Sequence, residues 1–218
     1  MPLTPAELAA DALAVRRAGA FAVHVHPRDA SGTQTLRRAE CDAAVAAIRT
    51  AVPGLPIGLS TAEAIDPDPF ARAAAVAAWR QRPDFVSVNL SELGWMGIVR
   101  AALHVGIAVE AGLATVADAE QLERSQFTHQ MLRALVEVDG GVEDARAIAE
   151  LVPEQIPQLW HGYEQRTWEV LRAAAAAGHA VRIGLEDVLT LPDGRPAADN
   201  AELVAAAVEL TDGGGQTR

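Results

Sequence analysis

Two histidines set one residue apart, His24 and His26, are the first groups in the chain with chemistry to offer. They lie in Phe21-Ala-Val-His-Val-His-Pro-Arg-Asp29, between Gly19 and the Ser31-Gly32 turn. Apolar residues alternate with imidazoles here, the signature of a short strand. Successive strand side chains point to opposite faces, so the imidazoles share one face and Val23 and Val25 the other. Two imidazoles at that spacing can grip one divalent metal. The plainer alternative is a pair of polar residues lining a barrel interior or a wet edge.

A second stretch, Arg182-Ile-Gly-Leu-Glu-Asp187, ends the last apolar strand of the chain. Arg182 and Gly184 share a face, and Glu186 continues that row into the loop. If first and last strands are neighbours, Glu186 completes a His, His, Glu set. Three protein ligands leave positions open for substrate, as in catalytic rather than structural zinc sites. Read alone, Glu186-Asp187 is equally a solvated loop pair or a helix cap. Glu110, on an apolar strand, is a carboxylate whose burial would be costly unless paired or used. Ser60 ends a strand without a Gly-x-Ser-x-Gly elbow, so by itself it reads as a turn residue.

These residues need a scaffold, and the pattern supplies one. Thr4-Pro5-Ala6-Glu7 is a capping box with Pro at N1, opening a helix that stops at Gly19. Thereafter strands and helices alternate, with expected strands at 23–26, 56–59, 85–90, 107–110, 131–136, 158–160 and 180–185. The expected helices span 38–50, 69–81, 96–105, 116–125, 142–151, 165–177 and 199–210. Alternation at this spacing indicates a parallel sheet. The strands end in His26, Ser60, Asn89, Glu110, Glu137, His161 and Glu186. Polar groups gathered at the C-terminal ends of parallel strands are how a TIM (β/α)8-type barrel builds a site. No Gly-rich phosphate turn follows an early strand, which argues against a doubly wound nucleotide-binding sheet. Met1-Pro2-Leu3 is too short to form a strand ahead of the first helix. The expectation is a single barrel domain over 1–211, apparently lacking the first strand, with a disordered C-terminal tail over 212–218. Its open edges would need covering, which points to a homo-oligomer.

Composition limits the partners. The 218 residues carry a formal charge of −11, against a nucleic-acid or anionic-membrane surface. Charges interrupt every long apolar run, so no membrane span is expected, and no leader pattern opens the chain. The one cysteine, Cys41, excludes an intrachain disulfide and suits a cytoplasmic setting. His104, His129 and His179 read as solvated, whereas His161, at a strand end beside Trp160, can reach the pocket. Trp79, Trp95 and Trp168 fall in helical patterns as packing residues.

Taken together, His24-Val-His-Pro-Arg-Asp29, the Ser60-Thr61 strand end and Arg182-Ile-Gly-Leu-Glu-Asp187 resemble the beta-keto acid cleavage enzymes, the family of 3-keto-5-aminohexanoate cleavage enzyme. The resemblance covers essentially the whole chain. It implies a zinc-dependent barrel enzyme that condenses a 3-keto acid with acetyl-CoA, giving acetoacetate and a new acyl-CoA. Carried over by motif, His24, His26 and Glu186 would hold Zn2+. Asp187 would be the general base, assisted by Arg182, with Ser60 relaying the proton and Glu110 lining the pocket. Thr61, Asn89 and Arg28 would contact substrate. Two rivals remain at this level. One is an amidohydrolase-like metal-dependent hydrolase, which would need further His or Lys ligands from the middle strands. The other is an inert metal-binding barrel.

Overall fold

The computed structural model describes residues 1–213, so most of the tail expected over 212–218 lies outside the described residues. The first helix, α1 (Pro5–Arg17), begins as its capping box dictates. Thr4 Oγ1 accepts from the Glu7 amide at 3.2 Å, and Glu7 Oε2 accepts from the Thr4 amide at 2.9 Å. Arg16 and Arg17 oppose the dipole at its far end, and Gly19 turns the chain at φ +114°.

Six α/β units follow α1: β1 (Val23–Val25), α2 (Arg38–Ala51), β2 (Ile57–Ser60), α3 (Pro69–Ala78), β3 (Phe85–Asn89), α4 (Trp95–His104), β4 (Ala108–Leu113), α5 (Val116–Glu123), β5 (Met131–Val138), α6 (Val142–Ala149), β6 (Gln158–Gly162) and α7 (Thr167–Ala176). The short β7 (Ala180–Val181) and α8 (Asn200–Gly213) complete the described chain. All strands pair in parallel, in the order β1-β2-β3-β4-β5-β6-β7. The fold is therefore a curled, unclosed (β/α) barrel with seven strands and, among the described residues, eight α-helices. It is one strand short of the closed form.

The core lies between the outer sheet face and the helices. Val45, Ile48, Val76, Ile98, Leu122 and Val170 are fully buried there, and each contributes roughly 1.5–3 kcal/mol by leaving water. Trp79 caps the end of α3, buried, with Nε1 donating to Leu36 O at 3.0 Å. Trp95 and Trp168 are buried in their helices, as packing residues should be. The Cys41 thiol is fully buried, and its pKa is pushed up to about 12 by that burial, which makes it inert.

Among the described residues no strand pairing bridges the seam between β1 and β7, and α1 and α8 close it from behind. Asn200, at the start of α8, donates to Asp11 Oδ2 of α1 at 2.7 Å and accepts from the Leu185 amide at 2.8 Å. A cavity of about 520 Å³ runs along the seam, its apolar wall including Leu8, Val15, Val25, Val181, Ile183 and Val208.

Three local expectations need correction. The last strand is two residues long rather than six, because the chain turns at once into a loop closed by Asp187 and Val188 amides on Gly184 O. β4 continues to Leu113, which places Glu110 inside the strand instead of at its end. His179 is half-buried and stacks on Trp160 at 5.1 Å between ring centroids, while His104 and His129 are exposed as expected.

Candidate metal centre and pocket

The alternation of β1 carries both histidines to the inner face, at the mouth of the cavity. The turn after β7 brings Glu186 to meet them. One ligand atom from each of His24, His26 and Glu186 lies within 4.8 Å of the others. His24 Nε2 and His26 Nε2 are 3.0 Å apart, and Glu186 Oε2 is 3.2 Å from His26 Nε2.

The neighbours of each ring settle which nitrogen is free. Gln34 Oε1 lies 2.9 Å from His26 Nδ1 and can only accept, so that nitrogen carries the proton. Ser87 Oγ donates to Glu110 Oε1 at 2.5 Å and lies 3.0 Å from His24 Nδ1, so it accepts from that nitrogen. Both Nε2 lone pairs then face each other at 3.0 Å, an arrangement that is repulsive until a cation sits between them. Burial, with Arg182 adding to it, holds His24 well below the ordinary histidine range. Burial also lowers His26, against a raising contribution from Gln34. Two neutral imidazoles and one carboxylate form a donor set that fits zinc and leaves coordination positions open.

Asp187 sits beside this centre, only 2 % exposed, and neither of its carboxylate oxygens has a well-directed hydrogen bond. Arg182 Nη2 pairs with Glu186 Oε1 and reaches to 3.8 Å of Asp187 Oδ1. His161 Nδ1 lies 3.4 Å from the same oxygen, close but outside hydrogen-bond geometry. Burial pushes the Asp187 carboxyl up, yet His161 and Arg182 outweigh it and leave the group below the usual range. Asp187 is thus a buried carboxylate flanked by Arg182 and His161 yet without a well-directed hydrogen bond on either oxygen, an uncommon condition.

His24, His26, Glu186, Asp187, Arg182, Arg28 and Glu110 all line the one cavity. Arg28 is anchored there by donating to Gly32 O at 2.8 Å. Glu110 is 1 % exposed and paired with Arg133 of β5 as well as Ser87, so it supports the centre from below. Ser60, Thr61 and Asn89 stand outside the cavity wall and have structural partners. Ser60 Oγ accepts from the Ala62 amide at 3.4 Å, Thr61 Oγ1 donates to Ser87 O at 2.7 Å, and Asn89 donates to Glu92 at 2.9 Å.

Ser87, Gln34, Arg133 and Glu137 are the residues that sequence reasoning did not assign to the site. Ser87 and Arg133 had a usable signal, a polar residue inside an apolar strand with its alternation intact. Gln34 lies in an irregular loop and had none. Glu137 was read only as a strand end, though its carboxylate reaches His161 Nε2 at 3.2 Å.

A family model described as beta-keto acid cleavage enzyme matches residues 1–138 and 138–217. Among solved structures, the chain superposes on the apo structure of ObcA with a TM-score of 0.77 at 18 % identity, covering 99 % of this chain and 62 % of that one. The binary complex of ObcA with oxaloacetate gives the same score and identity, with 99 % and 64 % covered. An enolase from Pseudomonas fluorescens Pf0-1, solved with magnesium, potassium and tartrate, scores 0.55 at 13 % identity over 97 % and 53 %. These likenesses establish the fold, and the chain spans less than two thirds of the length of the ObcA chains. The family match covers nearly every residue, both motif-bearing ends included: the chain belongs to the beta-keto acid cleavage enzymes.

Proposed function

We propose that the chain is a zinc-dependent enzyme that condenses a 3-keto acid with acetyl-CoA to give acetoacetate and a new acyl-CoA. The observation that carries this reading is the convergence of two imidazole lone pairs and Glu186 on one point, with the buried Asp187, free of any well-directed hydrogen bond, one residue further on. Held by His24, His26 and Glu186, a bound Zn2+ would polarise the substrate ketone as a Lewis acid. The rest of the chemistry falls to the protein. Asp187 removes a proton from C2 of the keto acid, acting as a general base within the cavity. The Arg182 guanidinium steadies the negative charge that develops and keeps Glu186 in place. C2 then attacks the thioester carbonyl of acetyl-CoA. That attack expels CoA as its thiolate, which adds to the original keto carbon. The bond from that carbon to C2 then breaks, and C2 takes back the proton held by Asp187, giving acetoacetate and the new acyl-CoA. Arg28, at the mouth, is placed to meet an anionic part of either substrate.

The amidohydrolase reading loses ground because the middle strands commit their polar residues elsewhere. Glu110 is held by Ser87 and Arg133, and Glu137 by His161 and Tyr163. Among the described residues, no helix is long and apolar enough to cross a membrane. We propose a homo-oligomeric state, since β1 and β7 each keep one unpaired edge among the described residues. The test is metal analysis joined to a panel of 3-keto acids with acetyl-CoA. Stoichiometric zinc and acetoacetate formation support the reading. Full zinc occupancy in His26→Ala, or turnover that ignores acetyl-CoA, overturns it.

A further inference from the structure

We propose that His161 is a positioning residue for Asp187, clamped from behind by Glu137 and Tyr163 so that the Asp187 carboxylate stays aimed into the cavity. The inference rests on Asp187 being the base of the proposed reaction.

Three features of the β6 end support it. The His161 ring is fully buried between two carboxylates, with Nε2 at 3.2 Å from Glu137 Oε2 and Nδ1 at 3.4 Å from Asp187 Oδ1. Tyr163 donates its hydroxyl hydrogen to the same Glu137 oxygen at 3.2 Å and packs edge-on against the imidazole, 4.9 Å between centroids. The next residue, Glu164, adopts a left-handed backbone at φ +47°, alone among the described non-glycine residues, and its amide donates to Asp187 O at 2.7 Å. Backbone in that region is costly for a side chain bearing Cβ and persists where surrounding contacts enforce it. The strand end therefore holds the Asp187 loop twice, through a main-chain bond and through an imidazole.

The reason for two holds lies in the exposure of Asp187 to Arg182. With its guanidinium 3.8 Å from Oδ1 and already paired to Glu186, Arg182 would draw a freely rotating Asp187 carboxylate toward itself. The imidazole, 3.4 Å from the same oxygen, supplies an opposing electrostatic pull and leaves Oδ2 without a hydrogen-bond partner. Glu137 completes the arrangement, because a carboxylate on Nε2 fixes the ring plane and stabilises a doubly protonated ring. Neither His161 nor Glu137 lines the cavity, so both act through Asp187 rather than on substrate.

Three variants of the zinc-loaded chain, assayed with 3-oxohexanoate and acetyl-CoA, test the proposal. His161→Phe should lower kcat about a hundredfold, the scale of an ångström-sized misplacement, with KM and bound zinc unchanged. His161→Asn keeps a donor near the Nδ1 position and should recover much of that loss. His161→Gln keeps one near Nε2 and should not. Equal behaviour of the Asn and Gln variants, or a loss carried by KM or zinc content, overturns the positioning role. Asp187→Asn separates this from the parent reading, since retained turnover there removes Asp187 as the base. A crystal structure of the His161→Asn or His161→Gln variant decides the geometry without any assay. A carboxylate turned toward Arg182 in the Gln variant supports the proposal, and an unmoved carboxylate in both ends it.

Discussion

Ser87 Oγ lies 3.0 Å from His24 Nδ1, joining a residue in the middle of one strand to a ring of the candidate metal centre on another, two strands away. The hydroxyl passes its own hydrogen to Glu110, which is in turn held by Arg133. The line Arg133–Glu110–Ser87–His24 fixes the tautomer that leaves His24 Nε2 free.

Removing the middle of that line should loosen the metal without unfolding the barrel. Ser87→Ala leaves Glu110 its ion pair with Arg133 and takes from His24 only its Nδ1 partner. Zinc affinity should fall about 10–100-fold, the usual cost of losing such an outer partner, with little change in Tm of the metal-free protein. Chelator competition measures this. An unchanged affinity would mean that His24 does not ligate through Nε2.

His161 makes a pH prediction of definite sign. The groups facing it are Glu137, Asp187, Tyr163 and Arg182. Burial and Arg182 push its pKa down, but the Asp187 and Glu137 carboxylates outweigh them, and the net shift is upward from 6.5. A raised pKa means that the folded protein binds this proton more tightly than the unfolded chain does. The resulting stability is fully present below pH 6.5 and is lost as pH rises through the folded value. The gap in urea midpoint between the native chain and His161→Asn should therefore be widest on the acidic side of neutrality and narrow toward pH 9. A gap that widens with pH would place the imidazole as neutral.

Much of this site was legible in order of residues, and the reason is geometric. Period-two alternation put His24 and His26 on one face, and the strand–helix rhythm put Glu186 at the far end of the same curled sheet. The cap of α1 and the seven strands followed from local chemistry of the same kind. What could not be read is contact across strands. The registers Ser87 with Glu110 and Glu110 with Arg133 decide that Glu110 is a buried support, and no local pattern encodes them. The length of β7 was overread because its apolar run continues to Leu185, whereas the chain leaves the sheet once Val181 has paired with Trp160. Ser60, Thr61 and Asn89 sit at strand ends as expected, yet their polar atoms are taken by loop and strand partners.

Arg72 offers a stability test away from the metal. It is fully buried on α3, donating to Thr61 O at 3.0 Å and Leu93 O at 2.9 Å, and it pairs with Glu92, itself the acceptor for Asn89. One side chain thus ties the loops after β2 and β3 together. Arg72→Ala takes from Glu92 its charged partner and should cost about 3–5 kcal/mol, as breaking buried ion pairs does. Urea denaturation reads this directly. A cost under about 1 kcal/mol, in the surface-pair range, would mean that solvent reaches Glu92.

Gly58 and Phe85 set the floor beneath the centre, and the smallest possible substitution tests it. A Cβ built on Gly58 would fall 2.2 Å from Cε2 of the Phe85 ring, and the ring carries the Arg133 guanidinium 4.8 Å above its centroid. Gly58→Ala must therefore displace Phe85, and overpacking of this kind costs about 1–3 kcal/mol. The shift should pass to Arg133, loosen its hold on Glu110 and weaken zinc binding with no ligand altered. Phe85→Leu supplies the room, so the double variant Gly58→Ala/Phe85→Leu should recover more stability than the two single costs added together would allow. Thermal denaturation of the four proteins gives the coupling. Strict additivity would show that the ring and the glycine do not compete for the same space.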